Sequence, residues 1–315
     1  MQNNMDTGKK RIGVNQILRA IGTVISTVLF IWLLSKQDWL VIWQNLKQFP
    51  AWLWPVCLLL VISGMVCNAL RWYLLLRAQK VQIPFGEVIR TVFAGAFASN
   101  FLPSTIGGDA FRIISLLRFT KDKALSVASI VVDRALNVLA TLTVLPFSWI
   151  TFGDQLFHLA FQAENTPAAA LAVPALNKVF AFFQRIVKKL FTAFAGWMRQ
   201  PWILAGGFGI SWVSIFVTYV NVWLLAQFLG IPVNLVQVMG VAAIVYIVTL
   251  LPISFNGYGV REVIYTTLYV SLGATTEQAA TLALVSRFFM LLETLPGALW
   301  LSRILPAKEN SSKEE

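Results

Sequence analysis

The feature that most constrains this chain is a series of long apolar runs that few charged residues interrupt. Six of them have about the length that a helix needs to cross the hydrocarbon layer of a membrane, which is about 20 residues. A membrane β-barrel would instead show segments of about 10 residues in which polar and apolar side chains alternate. Because these runs are continuous, we predict an all-α polytopic membrane protein. The six predicted full spans are 17–34, 51–76, 124–152, 167–187, 202–229 and 279–301.

The composition agrees with this fold class. Hydrophobic residues make up 57% of the 315 residues and charged residues 12%, about half the share of a soluble domain, which excludes a soluble globular or a disordered chain. Lys and Arg number 25 against 14 Asp and Glu, and a membrane protein collects such an excess in its cytoplasmic loops. We therefore expect no nucleic-acid partner. With one histidine and no Walker motif, we expect no metal, cofactor or direct use of ATP.

Basic residues also set the predicted topology. Lys9, Lys10 and Arg11 precede the first run, and Arg71 and Arg77 lie at the end of the second, so both of these flanks are expected in the cytoplasm. The same rule places the C-terminus there. The stretch 167–187 either crosses the membrane or lies on its outer surface as an amphipathic helix. Crossing is favoured because the two lysines at 188–189 then face the cytoplasm.

Two shorter apolar segments are broken by proline and glycine. Segment 88–102 stops at PSTIGGD, and segment 235–251 stops at PISFNGYG; another short apolar segment follows each break. Because both flanks of the first pair are basic, we predict a re-entrant hairpin here rather than a single crossing. Non-helical backbone at membrane depth is tolerated only within protein or beside a water-filled cavity. The breaks are therefore expected to line such a cavity.

The two breaks share the pattern Leu-Pro-x4-Gly-x3-Arg at an offset of 149 residues, which aligns Gly108 with Gly257 and Arg112 with Arg261. This predicts an internal repeat with cores at about 88–150 and 235–301. The flanks of the second break carry little charge, so we expect the repeat to be inverted, as in transporters whose sites lie between broken helices. Residues 1–303 are expected to form one membrane domain, and 304–315 a polar tail.

Arg134 and Arg287 are predicted to lie roughly 15 Å from a span end, near the middle of the membrane, where a charge is costly. Two interpretations stay open. The arginines bind a phosphate, which a guanidinium matches with two parallel hydrogen bonds. Alternatively, they form internal ion pairs. The candidate partners are Asp109, Asp133, Glu262 and Glu293.

The paired glycines Gly107 and Gly108 also allow two interpretations. Their N–H groups lie at the start of the segment that carries Arg112, where they are placed to cradle an anion. Alternatively, they allow two helices to approach closely. The second break lacks such a pair.

The segments LPSTIGGDAFR, VVDRALN, LPISFNGYGVRE and SRFFMLLETLPG resemble the lysylphosphatidylglycerol synthase transmembrane domain family, also called the flippase-like domain family. The resemblance covers about residues 15–303 and implies a multi-pass protein of the cell inner membrane. In bifunctional members this domain moves an aminoacylated phosphatidylglycerol across the bilayer, and a separate soluble domain makes that lipid. The site residues it implies are Gly107, Gly108, Asp109, Arg112, Asp133, Arg134, Gly257, Gly259, Arg261, Glu262 and Arg287.

Because the chain ends 12 residues after Arg303, we expect no synthase domain and no aminoacylation by this chain, so a separate lipid-modifying enzyme is an expected partner. We predict a lipid flippase or scramblase-like protein whose partner is a membrane phospholipid, anionic or aminoacylated. The alternatives are transport of a polyprenyl-phosphate or lipid-linked sugar, and a non-transporting protein that regulates another membrane protein. An enzyme is not expected, because the chain lacks a Gly-x-Ser-x-Gly nucleophile motif and a carboxylate-rich metal cluster.

Overall fold

The computed structural model describes residues 40, 43–44, 47, 49–101, 105–153, 197–250 and 259–304, and the regular elements in these ranges are all helices. This confirms the predicted helical class. In chain order the helices are α1 (Leu53–Ala78), α2 (Phe85–Phe101), α3 (Thr105–Leu116), α4 (Lys123–Leu142), α5 (Pro201–Phe228), α6 (Leu235–Leu250), α7 (Val260–Ser271), α8 (Thr276–Thr294) and α9 (Pro296–Ile304). After a turn at 143–144, α4 is followed by a further helical segment over 145–153.

Four helical segments within the described ranges are long and apolar enough to cross a membrane. They coincide with four of the six predicted spans. The other two, 17–34 and 167–187, lie outside the described residues, as does the predicted tail from residue 305 onward. The four segments are Leu53–Ala78, Lys123–Gly153, Pro201–Phe228 and Thr276–Trp300.

Helices α1 and α5 pack against each other in antiparallel directions. The Ser214 hydroxyl donates to the Gly64 carbonyl oxygen at 3.1 Å. Further along α1, Arg71 Nη1 donates to Ser211 Oγ at 2.9 Å. The Leu75 carbonyl oxygen accepts from the indole N–H of Trp197, which precedes α5, at 2.9 Å. The contacts move toward the C-terminus of α1 as they move toward the N-terminus of α5, so the two helices run in opposite directions.

The first predicted hairpin is a pair of short helices, α2 and α3, joined through close glycine packing. A Cβ atom on Gly108 would lie less than 3.0 Å from both Ser99 Oγ and the Gly95 carbonyl oxygen. The prediction of a non-helical stretch over 103–109 is wrong for 105–109, because α3 begins at Thr105 and holds Gly107 and Gly108 in its first turn. The close contact offsets the low helix propensity of glycine.

The second broken segment has the same plan. Helices α6 and α7 flank the stretch 251–258, which lies outside the described residues. The turn from α5 to α6 repeats the turn from α1 to α2 with numbers 150 higher. Val81 N–H donates to the Leu76 carbonyl at 3.1 Å, and Ile231 N–H donates to the Ala226 carbonyl at 3.0 Å. Such a bond closes a helix C-terminus, and both turns contain a residue of positive φ.

The end of each half packs against the broken pair of the other half. Helix α9 crosses α2 so closely that a Cβ on Gly297 would lie less than 3.0 Å from the Phe93 carbonyl oxygen. Likewise, the segment 145–153 packs on α6, where Ser148 Oγ donates to the Gly240 carbonyl at 2.8 Å. The two halves are therefore interlocked at both ends.

We expect Gly297→Ala to lower the free energy of unfolding by about 1–3 kcal/mol, because the new methyl group would meet backbone atoms that cannot rotate away. Gly209→Ala on α5 is the matched control. Its Cβ would meet nothing within 4 Å, and alanine favours a helix over glycine by about 1 kcal/mol. Melting temperatures of the detergent-purified variants measure both effects. A Gly297→Ala protein that melts with the wild type would contradict this packing.

Candidate functional site

A cavity of ≈ 270 Å³ lies beside the α2–α3 hairpin. Helices α1, α4, α6 and α8 complete its wall with Asn68, Asn137, Tyr246 and Met290, among others. The cavity brings together five of the predicted site residues, namely Gly108, Asp109, Arg112, Asp133 and Arg134. Its charged lining consists of Arg71, Asp109, Arg112, Asp133, Arg134 and Glu293.

Asp133 on α4 forms ion pairs with two arginines of this lining. Its Oδ1 accepts from Arg71 Nε at 2.7 Å, and its Oδ2 accepts from Arg112 Nη2 at 2.9 Å. Asp133 is 3% exposed and Arg71 4%. Arg71 Nη1 also donates to Ser211 Oγ at 2.9 Å and Asn137 Oδ1 at 3.3 Å. One carboxylate therefore ties α1, α3 and α4 together, and Arg71 extends this network to α5.

Arg112 on α3 leads from this buried cluster toward the hairpin. Its guanidinium carbon lies 4.2 Å from the centre of the Trp72 ring, a cation–π contact that fixes its plane. Its Nη1 lies 3.7 Å from Asp109 Oδ1. The buried Nε makes no hydrogen bond with any described residue.

Arg134 on α4 is paired with an acid and is only partly buried. Its Nε donates to Asp109 Oδ2, but the arginine side chain is 49% exposed and that of Asp109 is 15% exposed. Arg134 lies on a face of α4 that borders the cavity. Its depth in the membrane stays a prediction.

The predicted residues of the second half that the structure describes form a second group at the start of α7 and on α8, namely Gly259, Arg261, Glu262 and Arg287. Arg287 is buried, as expected, and its Nε donates to Glu262 Oε1 at 2.7 Å. The other carboxylate oxygen of Glu262 accepts from the Gly259 N–H at 2.7 Å. Glu262 thus caps the start of α7 while it neutralises Arg287. Gly259 has φ 81°, a conformation that glycine adopts without strain.

Arg261 connects the second group to the cavity wall. Its Nη1 donates to the sulfur of Met290 at 3.0 Å, and Met290 lines the cavity. Gly107 lies in the first turn of α3 next to the cavity residue Gly108. Gly257 lies outside the described residues.

The two arginine–carboxylate pairs occupy equivalent places in the two halves. Arg134 follows Asp109 by 25 residues, Arg287 follows Glu262 by 25, and both pairs are joined through Nε. The second pair is numbered 153 higher than the first. The offset of 149 that aligned Arg112 with Arg261 is therefore not the register of these contacts, because the two breaks differ in length.

The other three charged residues of the first-half cluster correspond to neutral residues in the second half, at the offsets of 150 and 153 residues. Arg71 corresponds to Asn221 at an offset of 150, and Asp133 and Arg112 correspond to Ser286 and Tyr265 at 153. All three counterparts are buried polar residues. The halves share a backbone plan, but their charge differs.

Arg71 is the site residue that sequence reasoning missed. The interpretation of Arg71 as a residue of a cytoplasmic flank is wrong, because α4 and α5 enclose its side chain. A usable signal was present, since Asn68 and Arg71 are three residues apart and share one face of α1. Two polar residues on one face of an apolar span indicate a polar neighbour rather than lipid.

The four candidate partners of the arginines have different outcomes. Asp109 pairs with Arg134 and Glu262 with Arg287, whereas Asp133 takes Arg71 and Arg112 instead. Glu293 lines the cavity but forms no ion pair or hydrogen bond with the described part of the chain.

Long apolar helices around a polar cavity that broken helices help to line define a polytopic helical membrane protein. Residues 19–297 match the family described as the lysylphosphatidylglycerol synthase TM region. The chain therefore belongs to this family, which confirms the resemblance drawn from its motifs. No curated protein matches the chain.

The two equivalent ion pairs should respond differently to loss of their arginine. Arg287→Ala leaves Glu262, 2% exposed, as a buried charge without its guanidinium, and we expect a loss of about 3–5 kcal/mol in stability. Arg134→Ala removes a half-exposed partner, and we expect at most about 1 kcal/mol. Melting temperatures compare the two variants, and Arg287→Ala with Glu262→Gln should recover part of the loss. Equal losses in both single variants would contradict the difference in burial.

Proposed function

We propose that this protein is a lipid flippase or scramblase-like membrane protein that translocates an anionic or aminoacylated phospholipid. The observation that carries the proposal is the cavity beside the α2–α3 hairpin, whose lining includes three guanidinium groups. An ion-pair network that served folding alone would not need an open space next to it. In this protein the network borders a cavity, and one of its arginines is half-exposed there.

The headgroup phosphate is the part of the lipid that this lining fits. A guanidinium offers parallel N–H donors that match phosphate oxygens, and the low dielectric of the surroundings strengthens the contact. Arg134 and Arg112 are the contacting groups, while Asp133 and Arg71 hold Arg112 in place. Gly107 adds a backbone N–H from the first turn of α3, where such groups lack intrahelical acceptors. The acyl chains stay in the lipid.

The halves of the protein act as an inverted repeat. Three observations support this: α1 and α5 are antiparallel, the two turns match at an offset of 150, and each half has an arginine–carboxylate pair at a spacing of 25. The pairs differ in exposure. Asp109–Arg134 is partly open, whereas Glu262–Arg287 is closed. Exchange of these roles between the halves would move the headgroup site from one face of the membrane to the other.

The membrane arrangement follows the charge pattern. The protein is a single membrane domain over 1–303 in the cell inner membrane, with both termini in the cytoplasm and both hairpins re-entrant. A separate lipid-modifying enzyme supplies the substrate where that substrate is aminoacylated.

Cysteine labelling tests the inverted arrangement. In a background with Cys57→Ala and Cys67→Ala, Lys121→Cys follows α3 and Ser271→Cys ends α7, and both positions are exposed. A membrane-impermeant maleimide added to spheroplasts should label Ser271→Cys and leave Lys121→Cys unlabelled until the cells are lysed. Labelling of both positions from the same side would contradict the inverted repeat.

Arg134→Lys tests the phosphate site. We expect about a tenfold loss in the rate of lipid flipping, because lysine keeps the charge but cannot form the planar two-pronged contact. The melting temperature should change little, since the pair with Asp109 is partly exposed. The matched control is Arg90→Lys, an exposed arginine of α2 paired with Glu87. The assay is dithionite quenching of fluorescent phosphatidylglycerol in proteoliposomes. Normal flipping by Arg134→Lys would contradict the site, and no flipping by the wild type would leave the non-transporting role.

A further inference from the structure

Three acidic residues line the cavity, and Glu293 is the one that forms no ion pair with the described residues. It lies on α8 and lines the cavity, and the next residue, Thr294, accepts a hydrogen bond from Asn100 of α2 at 2.8 Å. This bond holds the end of α8 against the hairpin. Within the described residues Glu293 has no ion pair and no hydrogen bond. Arg287, the partner expected from sequence, is taken by Glu262.

A count of charges shows what Glu293 does to the site. The cavity is lined by three arginines, and two aspartates pair with them, which leaves one net positive charge when Glu293 is protonated. When Glu293 is ionised, the lining is neutral. One positive charge matches one lipid phosphodiester, so the protonated form of Glu293 is the form that favours an anionic headgroup.

Outside the lining, Arg261 interacts electrostatically with Glu293, but the two side chains form no ion pair. Arg261 of α7 donates instead to Met290, one turn earlier on α8, at 3.0 Å. A carboxylate that forms no ion pair is costly to keep charged away from water. This cost falls away when the carboxylate takes up a proton.

We propose that Glu293 is a proton-binding site linked to the headgroup site, so that one proton and one phosphate-bearing headgroup occupy the cavity together. The inference rests on the proposed function. The proton adds to a carboxylate oxygen when the anion enters and leaves when the anion leaves, and no other bond changes. Because linkage is reciprocal, the proton favours the anion as much as the anion favours the proton. The chain would then couple lipid movement to a proton gradient.

Seven other charged or titratable groups lie around Glu293. Both aspartates of this set are paired with arginines, which leaves Glu293 as the carboxylate that forms no ion pair with the described residues. The set comprises Arg71 of α1, Asp109 and Arg112 of α3, Asp133 and Arg134 of α4, Tyr246 of α6 and Arg261 of α7.

The experiment measures flipping of fluorescent phosphatidylglycerol by the full chain in phosphatidylcholine proteoliposomes at several pH values. The wild-type rate should fall with rising pH, by up to about tenfold per pH unit. Glu293→Gln mimics the protonated carboxyl and should keep the low-pH rate throughout. The control is Glu277→Gln, which removes an acid from the same helix about 24 Å away and should behave as the wild type. An imposed pH gradient should concentrate the lipid in the leaflet on the alkaline side with wild type, and not with Glu293→Gln.

The outcomes separate the two proposals. If the wild type flips lipid at a rate independent of pH and ignores the gradient, the proton site is overturned and the proposed function stands. The same holds if Glu293→Gln stops flipping at every pH, because the charged carboxylate is then required. If the wild type flips no lipid at any pH, the proposed function fails and the coupling fails with it. If Glu293→Gln does not fold, the gradient measurement on the wild type still tests the proton site.

Discussion

The contact of Asp133 with two arginines is the interaction on which the arrangement of this protein depends. It joins the span α4 to the span α1 through Arg71 and to the hairpin through Arg112. Removing one partner of such a buried cluster lowers the stability of the protein by about 3–5 kcal/mol, because it leaves a buried charge without its counter-charge. The cluster therefore fixes where the hairpin sits between the spans. The cavity is the space that this position leaves.

The two halves of the protein have the same plan of helices, yet their electrostatics differ. The counterparts of Arg71, Asp133 and Arg112 in the second half are buried and neutral. A neutral cluster can change its packing without separating charges in a low dielectric, which an ionic cluster cannot do cheaply. At these three positions the first half is therefore held by ionic contacts and the second half by neutral packing. The Glu262–Arg287 pair is the buried ionic contact that the second half retains.

The sequence predicted the helices well and their contacts poorly. An apolar run of sufficient length is a property of one segment, so four spans and both broken pairs were found within a few residues. An ion pair is a property of two segments. The sequence offered several acids as partners of Arg134. Which acid pairs with it depends on the length of the α3–α4 turn, which places Asp109 next to Arg134. Arg71 lies seven residues before the end of α1. At that distance a long arginine side chain can either extend to water or pack inside the protein, so the sequence alone does not distinguish the two positions.

The glycines of the hairpin show why structural and functional interpretations of a motif need not compete. Sequence reasoning offered close packing and an anion cradle as alternatives for Gly107 and Gly108. The structure shows the packing, since Gly95 and Gly108 leave no room for a Cβ between α2 and α3. A Cβ on Gly95 would also lie 3.1 Å from Arg112 Cγ. The glycine that allows the two helices to approach therefore also leaves space for the Arg112 side chain. Close packing is therefore what brings the Arg112 guanidinium into contact with Asp133, and so the packing builds the site.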